Sequence, residues 1–353
     1  VVTDLRMRVR EEVNEISSRI LKLVETILQI AEKNKDVKML LYTHTQHAQV
    51  GTLGHSMIAY SDMFVRDFQR IDDAYTRLNL NPLGSAAIAG TSFQIDRDRT
   101  ASLLGFEGLI ENSVDAVSSR DFALEIASSL AILMSNMSRI AEDIIVWSSS
   151  EFRYVEVKDE YASPSSIMPQ KKNPCTVELV RGSSGNVYGA LVNLLTLVKG
   201  LLTGYNRDLQ NMKEPIWTGL DSVKDALDAF TGVIRTLIIN DKRMSEVIGE
   251  SYASAVDLAE IMATNHELSF REAHTVVGET VKELYANGLK MNSITPEILQ
   301  KAAMKTLDKK IRISEKSISE AVDPTLSLGK RISKGSPSPD EVQRMLKDRS
   351  LKI

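Results

Sequence analysis

Only one cysteine, Cys175, stands in the 353 residues, so no disulfide can close within the chain, which suits a reducing cytosol. Long apolar runs are lacking as well. The richest, Leu191 to Val198, holds Asn193 and Thr196 and stops at Lys199, far short of the roughly 20 residues that span a bilayer. Neither sign of charge dominates: 43 Lys and Arg face 47 Asp and Glu, a net charge of −4. No basic excess is therefore present to hold nucleic acid or an anionic membrane. Hydrophobic residues at 43% and charged residues at 25% exclude a disordered, collagenous or disulfide-stapled chain. The length admits roughly two domains, or one large helical body with an appendage. The first residues, VVTDLRMRVREEV, carry alternating charge and no apolar signal core, and they open in the middle of a helical pattern. The expectation is that the natural start lies upstream.

Proline and glycine are missing where breakers would be found. Residues 1–50 contain neither, and neither do residues 109–163, which favours long helices. From Val114 through Phe122, Ile126, Leu130, Leu133, Met137, Ile140 and Ile144 to Trp147, apolar residues recur at helical spacing. A helix over that span would be about 50 Å long at 1.5 Å per residue, a rod that needs parallel neighbours. Leu5–Ala31, Leu53–Leu78, Thr176–Leu201 and Pro215–Ile239 have matching patterns. The segment around Val187–Val198 is apolar on nearly every face, which predicts a central position within the bundle or burial in an oligomer. After about residue 248 the helices shorten. Ser269 to Glu272 reads as a capping box, and Ser338, Pro339 and Glu341 repeat that logic with proline in the first turn. The expected fold is all-α: a long-helix bundle over 1–247, a small helical domain over 248–353, and no convincing strand.

Two stretches break this pattern. Tyr154–Pro174 holds Pro164, Pro169 and Pro174, which prevent a continuous helix, and irregular loops of this length are often lids or binding loops. It offers the hydroxyls of Ser163, Ser165 and Ser166, the ammonium groups of Lys171 and Lys172, and the amide of Asn173, just ahead of a helix. Cations and N–H groups at a helix start suit a carboxylate or phosphate; a solvated Lys-rich connection is the alternative. The second exception, Tyr42–Gln49, gathers Thr43, His44, Thr45, Gln46, His47 and Gln49, with His55 nearby. His-x-x-His without a neighbouring cysteine or ordered carboxylates is a weak zinc signal, and helix capping or surface polarity explains it better.

SSIMPQKKNP at 165–174 resembles the signature loop of the fumarase/aspartase superfamily. Together with YTHTQHAQ, SSRDF at 118–122, YNRDLQ at 205–210, KEP at 213–215 and FREAH at 270–274, the chain is similar to the argininosuccinate lyase family over essentially its whole length. The resemblance implies a homotetramer with active sites shared between subunits, in the cytoplasm, with no metal and no organic cofactor. It implies reversible elimination of argininosuccinate to arginine and fumarate, with Ser165 as the base that takes a proton from the carbon beside a carboxylate. An unperturbed alcohol is a poor base, so its oxyanion would need loop N–H groups, a cation such as Lys171, and a site closed to water. Lys171 and Asn173 would stabilise the dianionic intermediate, Thr43 would hydrogen-bond substrate, and His44 would help protonate the departing guanidino nitrogen. Glu178 would pair with that histidine. Arg120, Tyr205, Gln210 and Lys213 match positions that bind substrate carboxylates or the arginine moiety.

Departures from the family pattern are equally informative. A Ser-Arg-Asn-Asp-Gln motif that family members carry in a further N-terminal domain is absent. Pro164 stands where glycine is usual, and Val50 where proline is usual. Pro164 fixes its own φ and is expected to slow loop closure. Two other readings stay open: another fumarate-releasing lyase of adenylosuccinate or aspartate type, and a non-catalytic structural homologue of the δ-crystallin kind.

Overall fold

A computed structural model describes residues 1–265 and 268–351. Among them fourteen α-helices account for most of the chain. They are α1 (Val2–Lys33), α2 (Leu53–Leu78), α3 (Arg97–Leu103), α4 (Ser113–Ser118), α5 (Asp121–Ser148), α6 (Cys175–Val198) and α7 (Lys213–Thr236). Shorter helices follow: α8 (Asp241–Glu250), α9 (Ala255–Asn265), α10 (Phe270–Ala286), α11 (Pro296–Leu307), α12 (Glu315–Val322), α13 (Pro324–Gly329) and α14 (Pro339–Ser350). The strands are β1 (Lys38–Thr43), β2 (Gln46–Thr52), β3 (Leu80–Asn81), β4 (Gly108–Leu109), β5 (Val155–Glu156), β6 (Ser163–Pro164), β7 (Lys172–Asn173) and β8 (Ile238–Ile239). Two compact units emerge, Val1–Ile27 with Tyr60–Ile238, and Leu28–Ala59 with Ile239–Ile353. The all-α class holds, and the strands are short additions to it.

In the first unit, helix periodicity builds the core. Leu5, Val9, Val13, Ile16, Ile20 and Leu23 of α1 recur every three or four residues and are buried, the stripe that turns one helix face inward. Phe122, Ile126, Leu130, Leu133, Met137, Ile140, Ile144 and Trp147 do the same along α5. Helix α6 packs against both α5 and α7. Two arginines beside this stripe, Arg6 buried and Arg10 half-buried, close the ends of other elements. Arg6 Nη1 donates to the carbonyls of Arg77 (2.8 Å) and Leu78 (3.0 Å) at the end of α2, with its guanidinium 4.0 Å from the Phe122 ring centre. Arg10 donates to Asn79 Oδ1 and to the carbonyls of Gly105 and Leu104. Orphan carbonyls at a helix end favour such cations, and burial pushes Arg6 down to about 10, so it stays charged at neutral pH.

The rod expected from Val114 to Trp147 is interrupted. Helix α4 ends at Ser118, Ser119 is extended, and α5 begins at Asp121. Asn112 caps α4 by accepting from Val114 and Asp115 N–H, and Val114 is exposed rather than part of the core. No glycine or proline makes the break. Instead Arg120 Nη1 takes the Val117 carbonyl at 3.1 Å, the acceptor that residue 121 would use in a continuous helix.

The second unit contains an antiparallel hairpin that the sequence did not announce. Strands β1 and β2 pair from Lys38↔Thr52 to Thr43↔Gln46, with an irregularity between Leu40 and Tyr42. Its two-residue turn is His44 and Thr45, at φ 53° and 58°. Two consecutive left-handed residues make the hairpin-favouring turn that normally carries Asn-Gly; with neither present, the signal was hidden. A β-branched threonine there is a strained exception. Helix α8 packs on β1, and Arg331 donates to the Val50 carbonyl (2.7 Å) and to Asp257 Oδ1 (2.9 Å). The remaining core includes Leu258, Met262, Ala273, Val276, Leu284, Leu299 and Ile318. Ser269 and Glu272 form the expected capping box at α10. At α14 the proline falls in the first turn as read, but Ser338 makes no side-chain cap bond; its hydroxyl lies 3.1 Å from that of Ser336, and Glu341 accepts from Gly335 N–H and Arg344.

Candidate active site

Arg120, at the gap between α4 and α5, is 4% exposed. Its Nη1 donates to the carbonyls of Val117 (3.1 Å) and Ser119 (2.7 Å). Burial pulls its pKa down, and Tyr205 is the one group that pulls it back up; no carboxylate contributes. The bundle salt bridge that would explain Arg120 blandly is therefore not formed among the described residues. A desolvated guanidinium without a counter-ion is costly unless a ligand completes it.

Arg120 lines a cavity of about 720 Å³ together with Tyr205, Gln210 and Lys213. Four positions that lie up to 93 residues apart in sequence thus face one space within the first unit. Lys213 opens α7, and Tyr205 and Gln210 approach it from the preceding turn, where Gln210 Nε2 donates to Tyr205 Oη at 2.9 Å. The volume falls within the common range for small-molecule sites. Two cations, a phenol and an amide suit a ligand with anionic and polar groups. Sequence reasoning missed another wall of this cavity, Gly84 to Ala87. Ser85 is buried with its hydroxyl bonded to the Pro82 carbonyl (2.6 Å). Arg97 ties Leu83 to Ile110 and Glu111 through three carbonyls. The available signal was the cluster Pro82, Gly84 and Ser85 between two helices.

Ser165 occupies a separate element of the same unit. β6 and β7 pair antiparallel, Ser163↔Asn173 and Pro164↔Lys172, so the proline-rich segment closes as a small hairpin rather than an irregular loop. Ser165 N–H donates to the Lys171 carbonyl at 3.0 Å. Ser165 Oγ accepts from the N–H groups of Met168 (3.0 Å) and Ile167 (3.3 Å), donors that would also hold an alkoxide. The two lysines divide. Lys172 pairs with Glu156 (2.7 Å) and Asp159 (2.5 Å), which raises its own pKa and lowers that of Asp159. Lys171 is exposed and has no ion pair among the described residues. Tyr161, two residues before the hairpin, packs against Gly232 of α7, where its Oη would lie 2.1 Å from an added Cβ. Asn173 is half-buried, and Glu178 is exposed in the first turn of α6.

Thr43 and His44 lie in the second unit, at the exposed tip of the β1–β2 hairpin. His47 meets the Tyr42 ring edge-on at 5.4 Å, and His55 Nε2 is 3.0 Å from the Gly335 carbonyl. Among the described residues no group of three or more His, Cys, Asp and Glu could hold a metal ion. Among the described residues no helix is long and apolar enough to cross a membrane.

The long-helix unit and the elements it positions are those of a lyase, and the sequence model of the lyase family matches residues 1–189. A second model, described as argininosuccinate lyase C-terminal, matches residues 252–329. The chain is 43% identical over 351 residues to an argininosuccinate lyase of Methanothrix thermoacetophila, covering 98% of this chain and 70% of the relative. It is 41% identical to that of Nitrosopumilus maritimus, over 100% of this chain and 72% of the relative. The chain belongs to the argininosuccinate lyase family. It spans about 70% of the length of such relatives. A crystal structure of EDDS lyase in complex with formate superposes at a TM-score of 0.94 with 33% identity, over 99% of this chain and 70% of that one. A fumarate lyase from Mesorhizobium, at 18% identity and a TM-score of 0.79, shares the fold over 98% of this chain and 75% of that one.

Proposed function

We propose that this lyase-family chain catalyses the reversible elimination of argininosuccinate to arginine and fumarate, without metal or organic cofactor. The observation that carries the reading is the buried, uncompensated Arg120 on a cavity shared with Tyr205, Gln210 and Lys213. These four bind the substrate's carboxylates and arginine moiety. Ser165, its oxygen facing two backbone N–H groups, removes the proton from the carbon next to a carboxylate. The electron pair moves into that carboxylate, and Lys171 and Asn173 stabilise the dianion more strongly than the substrate. Collapse of the dianion breaks the carbon–nitrogen bond. His44, oriented by Glu178, returns a proton to the leaving guanidino nitrogen, while Thr43 hydrogen-bonds the substrate.

The working form is a cytoplasmic homotetramer with sites shared between subunits. Support for assembly comes from α6, whose Tyr188, Val192 (61% exposed) and Leu195, at i, i+4 and i+7, leave an apolar strip open in the single chain. The test is to supply argininosuccinate, adenylosuccinate and aspartate to the protein expressed from its complete reading frame and follow fumarate by ultraviolet absorbance. Release from argininosuccinate alone supports the assignment. Release from either other compound moves it within the superfamily, and release from none favours a structural role.

A further inference from the structure

In the second unit a cleft of about 420 Å³ opens between α9, α12 and the segment from Ser327 to Ile332. Two ion pairs cross its wall, Arg331 to Asp257 Oδ1 at 2.9 Å and Lys330 to Glu320 at 2.5 Å. What remains after these pairs is acceptor capacity. Asp257 is 6% exposed and Ser327 4% exposed, and both line the cleft. Asp257 Oδ2 and Ser327 Oγ have no hydrogen-bond partner. A buried carboxylate oxygen and a buried hydroxyl left unmade are expensive in a folded protein. Glu260, also on the lining, is exposed and makes no ion pair among the described residues. Three acids, Asp257, Glu260 and Glu320, face two bases, Lys330 and Arg331, so the lining carries one surplus negative charge.

We propose that this cleft binds a small organic cation rich in N–H donors, of the alkylguanidinium or alkylammonium class. Such a ligand supplies the donors that Asp257 Oδ2 and Glu260 lack and can satisfy the Ser327 hydroxyl. Ile261 and Ile332 on the lining give its alkyl part apolar cover. The chemistry is the reverse of that in the first unit, where Arg120 and Lys213 line the cavity and favour an anion. The proposal does not depend on which reaction the enzyme performs.

The test is calorimetric titration of the chain with methylguanidinium and with butylammonium, using butyrate as the anionic control. Saturable binding of at least one cation is expected. Glu260→Gln should weaken it about tenfold, and Ser327→Ala by a smaller factor. Both substitutions leave the two ion pairs intact, so unchanged thermal melts will confirm that the variants fold. Tighter binding of methylguanidinium identifies a planar donor fork, and tighter binding of butylammonium a point charge; either supports the site. No binding of either cation, equal binding in both variants, or butyrate binding that strengthens in Glu260→Gln overturns it.

Discussion

Arg120 and the tip of the β1–β2 hairpin are built on opposite principles. The guanidinium is buried, its helix junction is broken to hold it, and two backbone carbonyls fix one of its nitrogens. His44, on a strained turn, and Thr43, at the end of β1 beside it, stand exposed, as Lys171 does on the small hairpin of the first unit. On the proposed function the contrast is a division of labour: the substrate-binding groups around Arg120 are preorganised, while His44 and Lys171, assigned to the leaving group and the dianion, stand on exposed elements that substrate and closure would complete. Rigid fixation lowers the cost of binding, and exposed elements suit gating.

The sharpest way to break this comparison is Ser165→Ala. Turnover should fall by about 10³-fold or more, with the helical circular-dichroism signal unchanged; full activity would remove the base from the account. Next in size is Arg120→Met, which should raise KM by about 50-fold, since loss of a charge-assisted contact costs on the order of 2–3 kcal/mol. An unchanged KM would make Arg120 a structural cap only. Lys171→Gln and Lys172→Gln then separate the neighbours. The first should lower kcat with no shift in melting temperature, and the second should loosen the strap formed by the β6–β7 hairpin, read as faster amide exchange at Ser163–Asn173.

The pH dependence of that strap follows from its ion pair. Asp159 has a lowered pKa, so its contribution is present above the ordinary carboxylate range and is lost as pH falls through the folded value. Lys172 has a raised pKa, so its contribution is present below the ordinary lysine range and is lost as pH rises through the folded value. Exchange protection of the strap should therefore be flat from about pH 5 to 9 and decline outside it; a midpoint near pH 7 would contradict the pair. The smallest effect expected is from Pro164→Gly, which should speed strap exchange a few-fold by freeing φ. Equal exchange in both proteins would dismiss Pro164 as a brake.

Much of the molecule was legible in the sequence because burial follows period. The α5 stripe from Phe122 to Trp147 could be read directly, since every third or fourth residue is apolar and buried. The break at Ser119 and Arg120 could not, because it is made by a side chain capturing a carbonyl and not by glycine or proline. The β1–β2 hairpin was equally hidden, its turn carrying His44 and Thr45 in place of the residues that tolerate positive φ. Within the site, the similarity of motifs pointed to Arg120, Tyr205, Gln210 and Lys213, and it took the tertiary fold to bring them to one cavity. The different fates of Lys171 and Lys172 depend on Glu156 and Asp159, whose proximity adjacent sequence does not reveal.

The most direct test of the divided site is the affinity of argininosuccinate for two inactive proteins, Ser165→Ala alone and Ser165→Ala combined with Arg120→Met, measured by calorimetry. The single variant should bind saturably, because it lacks only the base, while the double variant should bind about 50-fold more weakly. Equal affinity in the two variants would contradict the account, placing recognition somewhere other than the cavity around Arg120.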